Sequence, residues 1–258
     1  MKRNQPLEAI TVCIGMDDLL HETAKWNLPH FDRWIIATTP QDEKTREVCR
    51  KFNLETLLSQ DAQRFGAPFN KGRLIQRALQ LTSADSWRLH LDCDIALPHG
   101  FRHLLQIADL NPSFIYGADR IDVFGWNEWQ KLQASGFLNH SLDYGYRVNV
   151  PQGFSIGTRW AHHLFGYVPI GFFQLWSSQD EWRGIRTKTY PISHSNAARA
   201  DVQWGMKWDR HERAIIPELL VAHLMSQRAP LGANWDGVRQ TKRFGPEWNK
   251  GCLQRACS

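Results

Sequence analysis

Trp87-Arg88-Leu89-His90-Leu91-Asp92-Cys93-Asp94-Ile95-Ala96-Leu97-Pro98 is the stretch on which the reading of this chain turns. Its first five residues form the clearest β-rich run of the sequence, and apolar residues resume right after two carboxylates separated by a single residue. A buried strand ending on such a pair sets both acids at the C-terminal edge of a sheet, where open α/β folds hold their ligands. Hard divalent cations such as Mg²⁺ or Mn²⁺ take oxygen ligands and commonly bridge one or two carboxylates to substrate phosphates. The plain alternative is an ordinary loop in which one aspartate accepts backbone hydrogen bonds as an Asx turn.

Upstream, Ala9 to Gly15 and Arg33 to Thr39 are two further β-rich runs, the second too apolar for a half-exposed strand. Between them Leu19, Leu20, Ala24 and Leu28 make a modest helical stripe, interrupted near Pro29. Thr39-Pro40-Gln41-Asp42 resembles an N-cap with Pro at the first helical position and an acid in the first turn, so a helix is expected from there to about Phe52. Glu55 to Leu58 predicts a short strand, and Asn70 caps a helix with Leu74, Ile75, Ala78 and Leu79 on one face. Three βα units imply an α/β fold with one doubly wound, mostly parallel central sheet flanked by helices, and no linker divides residues 1–258.

Downstream, Ser113 to Ala118, Tyr146 to Val150 and Phe172 to Trp176 predict strands. Ala198 to Trp208 and Arg213 to Met225 predict helices, the latter starting at about Ile216 because Pro217 must sit in a first turn. From Gln227 to Ser258 the chain is rich in Gly, Pro, Trp and basic residues without periodicity, which suits either a lid over a site or a loose terminus.

Composition narrows the classes. With 42% hydrophobic and 22% charged residues the chain is ordinary globular, which sets aside collagen-like and disordered classes. No apolar run approaches the roughly 18 residues of a membrane-spanning helix. The opening MKRNQPLEAITVCIG does not read as a secretory signal, and an odd count of five cysteines without a CxxC pair is expected of a cytoplasmic protein and excludes a zinc ribbon. A formal charge of +5 would help with polyanions, sugar nucleotides or anionic surfaces but falls short of a dense nucleic-acid stripe. Twelve Trp residues offer stacking faces for bases or sugars, although most are expected to be structural. Neither GxGxxG after the first strand nor GxSxG is present, against a Rossmann oxidoreductase and an α/β-hydrolase.

The order of the first strand, the Thr38-Thr39 strand end, the Asn70-Lys71-Gly72-Arg73 segment and the Asp92-Cys93-Asp94 strand end resembles a glycosyltransferase of the GT-A type, most like family 2 and its galactosyltransferase-like relatives. The specific part of the likeness is Asp92-Cys93-Asp94 and its surrounding spacing. The resemblance implies a metal-dependent enzyme that binds Mn²⁺ or Mg²⁺ and the diphosphate of a nucleotide sugar, such as a UDP-sugar, and moves a hexose or pentose to a hydroxyl with inversion. Asp94 would be the principal metal ligand, with Asp92 contacting the ribose or the metal through water. Cys13 to Gly15 and Thr39 to Asp42 would flank the nucleoside, and Asn70, Lys71 and Arg73 would approach ribose and diphosphate, as donors at a helix N-terminus can. Lys71 and Arg73 could equally solvate an exposed helix face.

The same resemblance makes Asp201 the expected general base, since inverting transfer needs a carboxylate beside the acceptor hydroxyl. Its bland counterpart is a favourable first-turn charge worth ~0.3–1 kcal/mol. Asp180 and Glu181 stand in reserve. His223 would complete the metal site, against the alternative of a satisfied buried histidine, and Trp235, Arg239, Lys242 and Arg243 would form a lid over the diphosphate. The tail is similar to those of phage-type glycosyltransferases that decorate hydroxymethylated bases, which implies modified double-stranded DNA as acceptor, in the host cytoplasm. Lipopolysaccharide or another glycan is the alternative. A nucleotidyltransferase would be expected to carry a basic, Gly-rich loop after the first strand, which Val12 to Trp26 lacks. A basic nucleic-acid or glycan binding protein would have no need of Asp92, Asp94 and Asp201.

Overall fold

The computed structural model describes residues 5–139, 150–179, 189–225, 236–239 and 241–246. Strands β1 (Leu7–Val12), β2 (Arg33–Thr38), β3 (Glu55–Leu58) and β4 (Trp87–Leu91) pair in parallel in the order β3-β2-β1-β4. All residues of β1 and β4 are buried, Glu8, Arg88 and His90 included, although β4 alternates apolar and polar residues, because layers of helix and loop cover both faces of the sheet. The crossovers are α1 (Asp17–Asn27), α2 (Glu43–Lys51) and α3 (Lys71–Leu79). Pro29 lies in the short turn after α1, where it interrupts no helical ladder. The cap of α2 is Asp42 rather than Thr39, because the Asp42 carboxylate reaches the Thr45 N–H at 3.2 Å. The cap of α3 is Asn70, which accepts from the Arg73 N–H at 3.1 Å.

Beyond β4 the expectation of a mostly parallel sheet gives way to a mixed one. The eight strands run β3-β2-β1-β4-β9-β6-β10-β5, where β5 is Ile95–Ala96, β6 is Ile115–Phe124, β9 is Phe173–Ser177 and β10 is Arg213–Met225. Strand β9 is antiparallel to both β4 and β6, and β5 is antiparallel to β10. Helices α4 (Phe101–Ile107) and α5 (Trp126–Ala134) flank β6 in sequence, β7 (Ala161–His162) and β8 (Gly166–Tyr167) form a separate hairpin, and α6 (Ala200–Gly205) precedes β10.

Residues 213–225 are therefore a strand and not the expected helix. Their apolar residues satisfy a buried strand as readily as a buried helix, and the long pairing with β6 decides between the two. Pro217 falls where the register slips between Ile215 and Leu220, beside Glu218 at φ 60°, so the missing N–H costs the ladder nothing. The helix expected over 198–208 is confined to α6. The strand expected at 146–150 lies, apart from Val150, outside the described residues.

Period-two alternation splits the core. Leu7, Ala9, Trp87, Leu89, Leu91, Phe173 and Leu175 face one layer with α1, α2 and α4, whereas Ile10, Val12, Ile35 and Trp176 face α3 and α6. Gly72 in α3 sits against the chain at Pro191, where an added Cβ would lie 2.0 Å from the Pro191 carbonyl oxygen. Gly72→Ala is expected to destabilise the protein by about 1–3 kcal/mol through overpacking against backbone, read as a lowered urea midpoint. An unchanged midpoint would show that the two segments do not pack.

Candidate active site

Because alternate residues of β4 face the same way, Arg88 and His90 point toward the α3 layer and Asp92 continues their side of the strand. Asp92 to Ile95 form a tight turn, with the Ile95 N–H donating to the Asp92 carbonyl at 3.2 Å. The turn sends the chain back along β10, where Ile95 stands opposite His223 and the Leu224 N–H donates to the Asp94 carbonyl at 2.8 Å. Positions remote in sequence thus meet at one sheet edge.

The meeting is charged. Lys71 Nζ, at the start of α3, ion-pairs with Asp92 Oδ1. His223 Nε2 lies 3.4 Å from Asp94 Oδ2, and its Nδ1 lies 3.1 Å from Asp122 Oδ1. Arg120 Nε lies 3.1 Å from the same Asp122 oxygen, and the Phe172 ring stacks on His223 at 6.3 Å with the Arg120 guanidinium over it at 4.6 Å. Asp201, in the first turn of α6, accepts from the Gly171 N–H through Oδ2 at 2.6 Å, while its Oδ1 is buried without a hydrogen-bond partner.

The protonation states follow from these contacts. Burial alone would lower the His223 pKa, but Asp94 and Asp122 outweigh it and raise it to about 9. Burial would raise both Asp94 and Asp122, and His223 more than reverses this, holding each below the usual carboxylate value. Asp92 is raised by burial and by Asp94 and Asp201, with Lys71 opposing, and burial of Lys71 is overcome chiefly by Asp92, which keeps the ammonium charged. Burial, then the Lys71 charge, pushes His90 well below its ordinary value, so that ring is neutral.

His223 has a folded pKa above its ordinary 6.5, so its ion pairs contribute stability fully below pH 6.5 and lose it as pH rises through about 9. In EDTA, the urea midpoint of the parent is expected to fall across that window while that of His223→Gln changes less. Parallel pH profiles for the two proteins would refute the assignment.

Among the described residues no three His, Cys, Asp or Glu side chains converge as a ready metal site. The donors nonetheless suit a hard or borderline cation that takes its remaining ligands from phosphate and water. Asp94 Oδ1 is buried without a partner, and Asp122 fixes the His223 ring with Nε2 toward Asp94, the orienting arrangement usual for metal-bound histidines. The His223 proton would have to leave, and Asp92 is engaged by Lys71.

The other expected site residues among those described engage other partners within the chain. Cys13 and Cys93 are both buried in the core beneath it. The Asp42 carboxylate is occupied within the chain, accepting from the Gly15 N–H at 2.7 Å as well as capping α2. Thr39 borders an open cavity of about 610 Å³ with Gln41, Gln60, Asp61, Gln63 and Arg64. Asn70 is held to the Ile192 carbonyl at 2.7 Å. Arg73 lies over the Phe65 ring, centroid 5.0 Å away. Arg239 pairs with Asp18 and reaches the Gly15 carbonyl at 3.4 Å, and Arg243 pairs with Asp17, so this part of the tail lies on the start of α1. Trp235, Asp180 and Glu181 lie outside the described residues. Asp122, Arg120, Phe172 and His90 were not singled out from sequence; charged residues at alternate positions of a strand, Arg120 and Asp122, were the available signal.

Comparison with known proteins finds no matching family model and no matching curated protein. Among solved structures the chain is similar to glucosyl-3-phosphoglycerate synthase from Mycobacterium tuberculosis in complex with UDP, at 10% identity over 88% of this chain and 74% of that one, with a TM-score of 0.46. It is also similar to a nucleotidyl transferase from Methanothermobacter thermautotroptrophicus, at 12% identity, 87% and 89% coverage and a TM-score of 0.39. Mannosyl-3-phosphoglycerate synthase from Rubrobacter xylanophilus matches at 15% identity over 48% of this chain, with a TM-score of 0.33, and this chain spans only 42% of its length. At such scores the architecture rests on the sheet itself: an α/β fold with a mixed central sheet flanked by helices. No helix among the described residues is long and apolar enough to cross a membrane.

Proposed function

We propose that this protein is a metal-dependent glycosyltransferase that moves a sugar from a nucleotide-sugar donor, a UDP-sugar in the first instance, to a hydroxyl acceptor with inversion. The observation that carries this reading is the convergence of Asp92, Asp94, Lys71, Asp201 and His223 at the C-terminal edge of β4. Asp94 and His223 would hold Mn²⁺ or Mg²⁺, which when bound supplies positive charge to the departing diphosphate. Lys71 adds a second cation at the same edge. Asp201, with Oδ2 anchored on Gly171 and Oδ1 unpartnered, takes the acceptor proton at Oδ1 as the oxygen attacks the anomeric carbon. The cavity beside Thr39 gives the nucleoside room, and the tail residues on α1, Arg239 among them, close the donor side. The acceptor in this reading is a 5-hydroxymethylpyrimidine in phage DNA, supported by the basic charge and the Trp content.

The test is a panel of nucleotide sugars with Mn²⁺ against hydroxymethylcytosine DNA, hydroxymethyluracil DNA, unmodified DNA and glycan acceptors, with nucleoside and glycan masses as readout. Transfer to hydroxymethylated DNA is expected. Transfer to glycan alone overturns the acceptor and keeps the transferase; transfer of a nucleotidyl group, or no transfer, overturns the transferase.

A further inference from the structure

Beneath the carboxylates lies a polar hub used neither for metal nor for proton transfer. Gln174 is fully buried in β9, opposite His90 in the antiparallel register of β4 and β9. Its Nε2 donates to the Pro169 and Asp201 carbonyls, each at 2.8 Å. Its Oε1 accepts from the Tyr190 hydroxyl at 3.1 Å and faces His90 Nδ1 at 3.3 Å. An amide offers two N–H donors and two lone pairs, and all four are spent here. Burying such a group among apolar side chains is costly unless every donor and acceptor is matched, so the amide is held in one orientation.

That orientation has a chemical consequence. Carbonyl oxygens only accept, so the NH₂ group must face Pro169 and Asp201 and the oxygen must face His90. With the Gln174 oxygen 3.3 Å and the Tyr190 hydroxyl 3.5 Å from Nδ1, the Nδ1–H tautomer is the one that lets the neutral ring donate to the amide oxygen, and it leaves Nε2 a lone pair. Nε2 has no hydrogen-bond partner and lies 3.6 Å from Asp92 Oδ1, the oxygen that Lys71 engages. The Pro169 carbonyl belongs to the short segment ending at Gly171, whose N–H anchors the Asp201 carboxylate.

We propose that Gln174 is a positioning residue that sets the separation between Asp201 and the Asp92–Lys71 pair, by gripping the Asp201 main chain, the segment leading to Gly171, and the His90 ring beneath Asp92 through one rigid amide. The inference rests on the transferase reading for its kinetic part and on geometry alone for its structural part. Through these bonds a single β9 side chain is tied to both His90 of β4 and the Asp201 backbone of α6.

The experiment compares the parent with Gln174→Met, which keeps the volume, and Gln174→Glu, which keeps the oxygen facing His90 but replaces the donors. Histidine-ring ¹⁵N spectra of the parent should show His90 as the Nδ1–H tautomer; an Nε2–H ring would overturn the hub whatever the variants do. Both variants should bind UDP and Mn²⁺ as the parent does, with donor KM little changed and kcat lower by about 10–100-fold, the scale typical of lost supporting hydrogen bonds around a site. A lowered melting temperature with unchanged kcat would mean a merely structural role and would overturn positioning. If both variants fail to fold, Tyr190→Phe, which removes one of the four bonds, should lower kcat in the same direction, and unchanged kcat would overturn it. A parent that turns over no donor defeats the transferase reading and the kinetic part together, while the tautomer still decides the hub.

Discussion

Asp201→Asn is expected to leave nucleotide binding at the parent level and to lower sugar transfer by about 10²–10⁴-fold, the range spanned by general acid–base catalysis. The asparagine keeps the size of the side chain and can still accept from the Gly171 N–H, so the loop and α6 should stay in place. What is lost is a second oxygen that can take a proton, the buried Oδ1 that has no partner within the chain. Steady-state kinetics with donor affinity measured separately by calorimetry distinguishes the two effects. Transfer within a few-fold of the parent would remove Asp201 from the chemistry and bring Asp180 and Glu181 forward.

Asp94→Ala is the second large effect. Loss of the carboxylate that meets His223 should abolish Mn²⁺-dependent tightening of UDP binding and cost several kcal/mol of transition-state stabilisation, about 10²–10⁴-fold in rate. His223 would keep Asp122 as its only carboxylate partner among those it now contacts. Asp92→Ala should be milder for metal binding, because in the present arrangement that carboxylate serves Lys71. Calorimetric titration of Mn²⁺ into UDP-loaded protein checks both; parent-like Mn²⁺ affinity in Asp94→Ala would exclude Asp94 as a ligand.

The first half of the molecule was legible because each element carries a local signature. Runs rich in β-branched, aromatic and other apolar residues mark β1, β2 and β4, and Asn70 caps α3 from its expected place. The Asp92-Cys93-Asp94 turn could be placed at a strand end for the same reason. From β5 onward the information is not local. An apolar run such as Ile215 to Leu224 suits helix or strand, and only its partner β6 decides, so the His223 backbone was misread even though the side chain arrives beside Asp94. The antiparallel insertion of β9 had no signature in its own sequence either, and with it went the contact of Gln174 with His90. Asp122 stayed hidden because its value lies in standing opposite His223 across a parallel ladder.

The clasp of Arg239 on Asp18 and of Arg243 on Asp17 bears on how the protein is made. Two neighbouring carboxylates, whose side chains are 7% and 12% exposed, receive these cations from residues more than 220 positions later. Chains leave the ribosome N-terminus first, so the leading acids of α1 are synthesised long before these counterions. Breaking partly buried pairs from one side leaves charge without compensation, and Asp17 and Asp18 lack these partners until Arg239 and Arg243 emerge. This edge of α1 is therefore completed only once residues more than 220 positions downstream are in place. A chain interrupted before Arg239 retains every described strand of the sheet yet leaves Asp17 and Asp18 without these two cations.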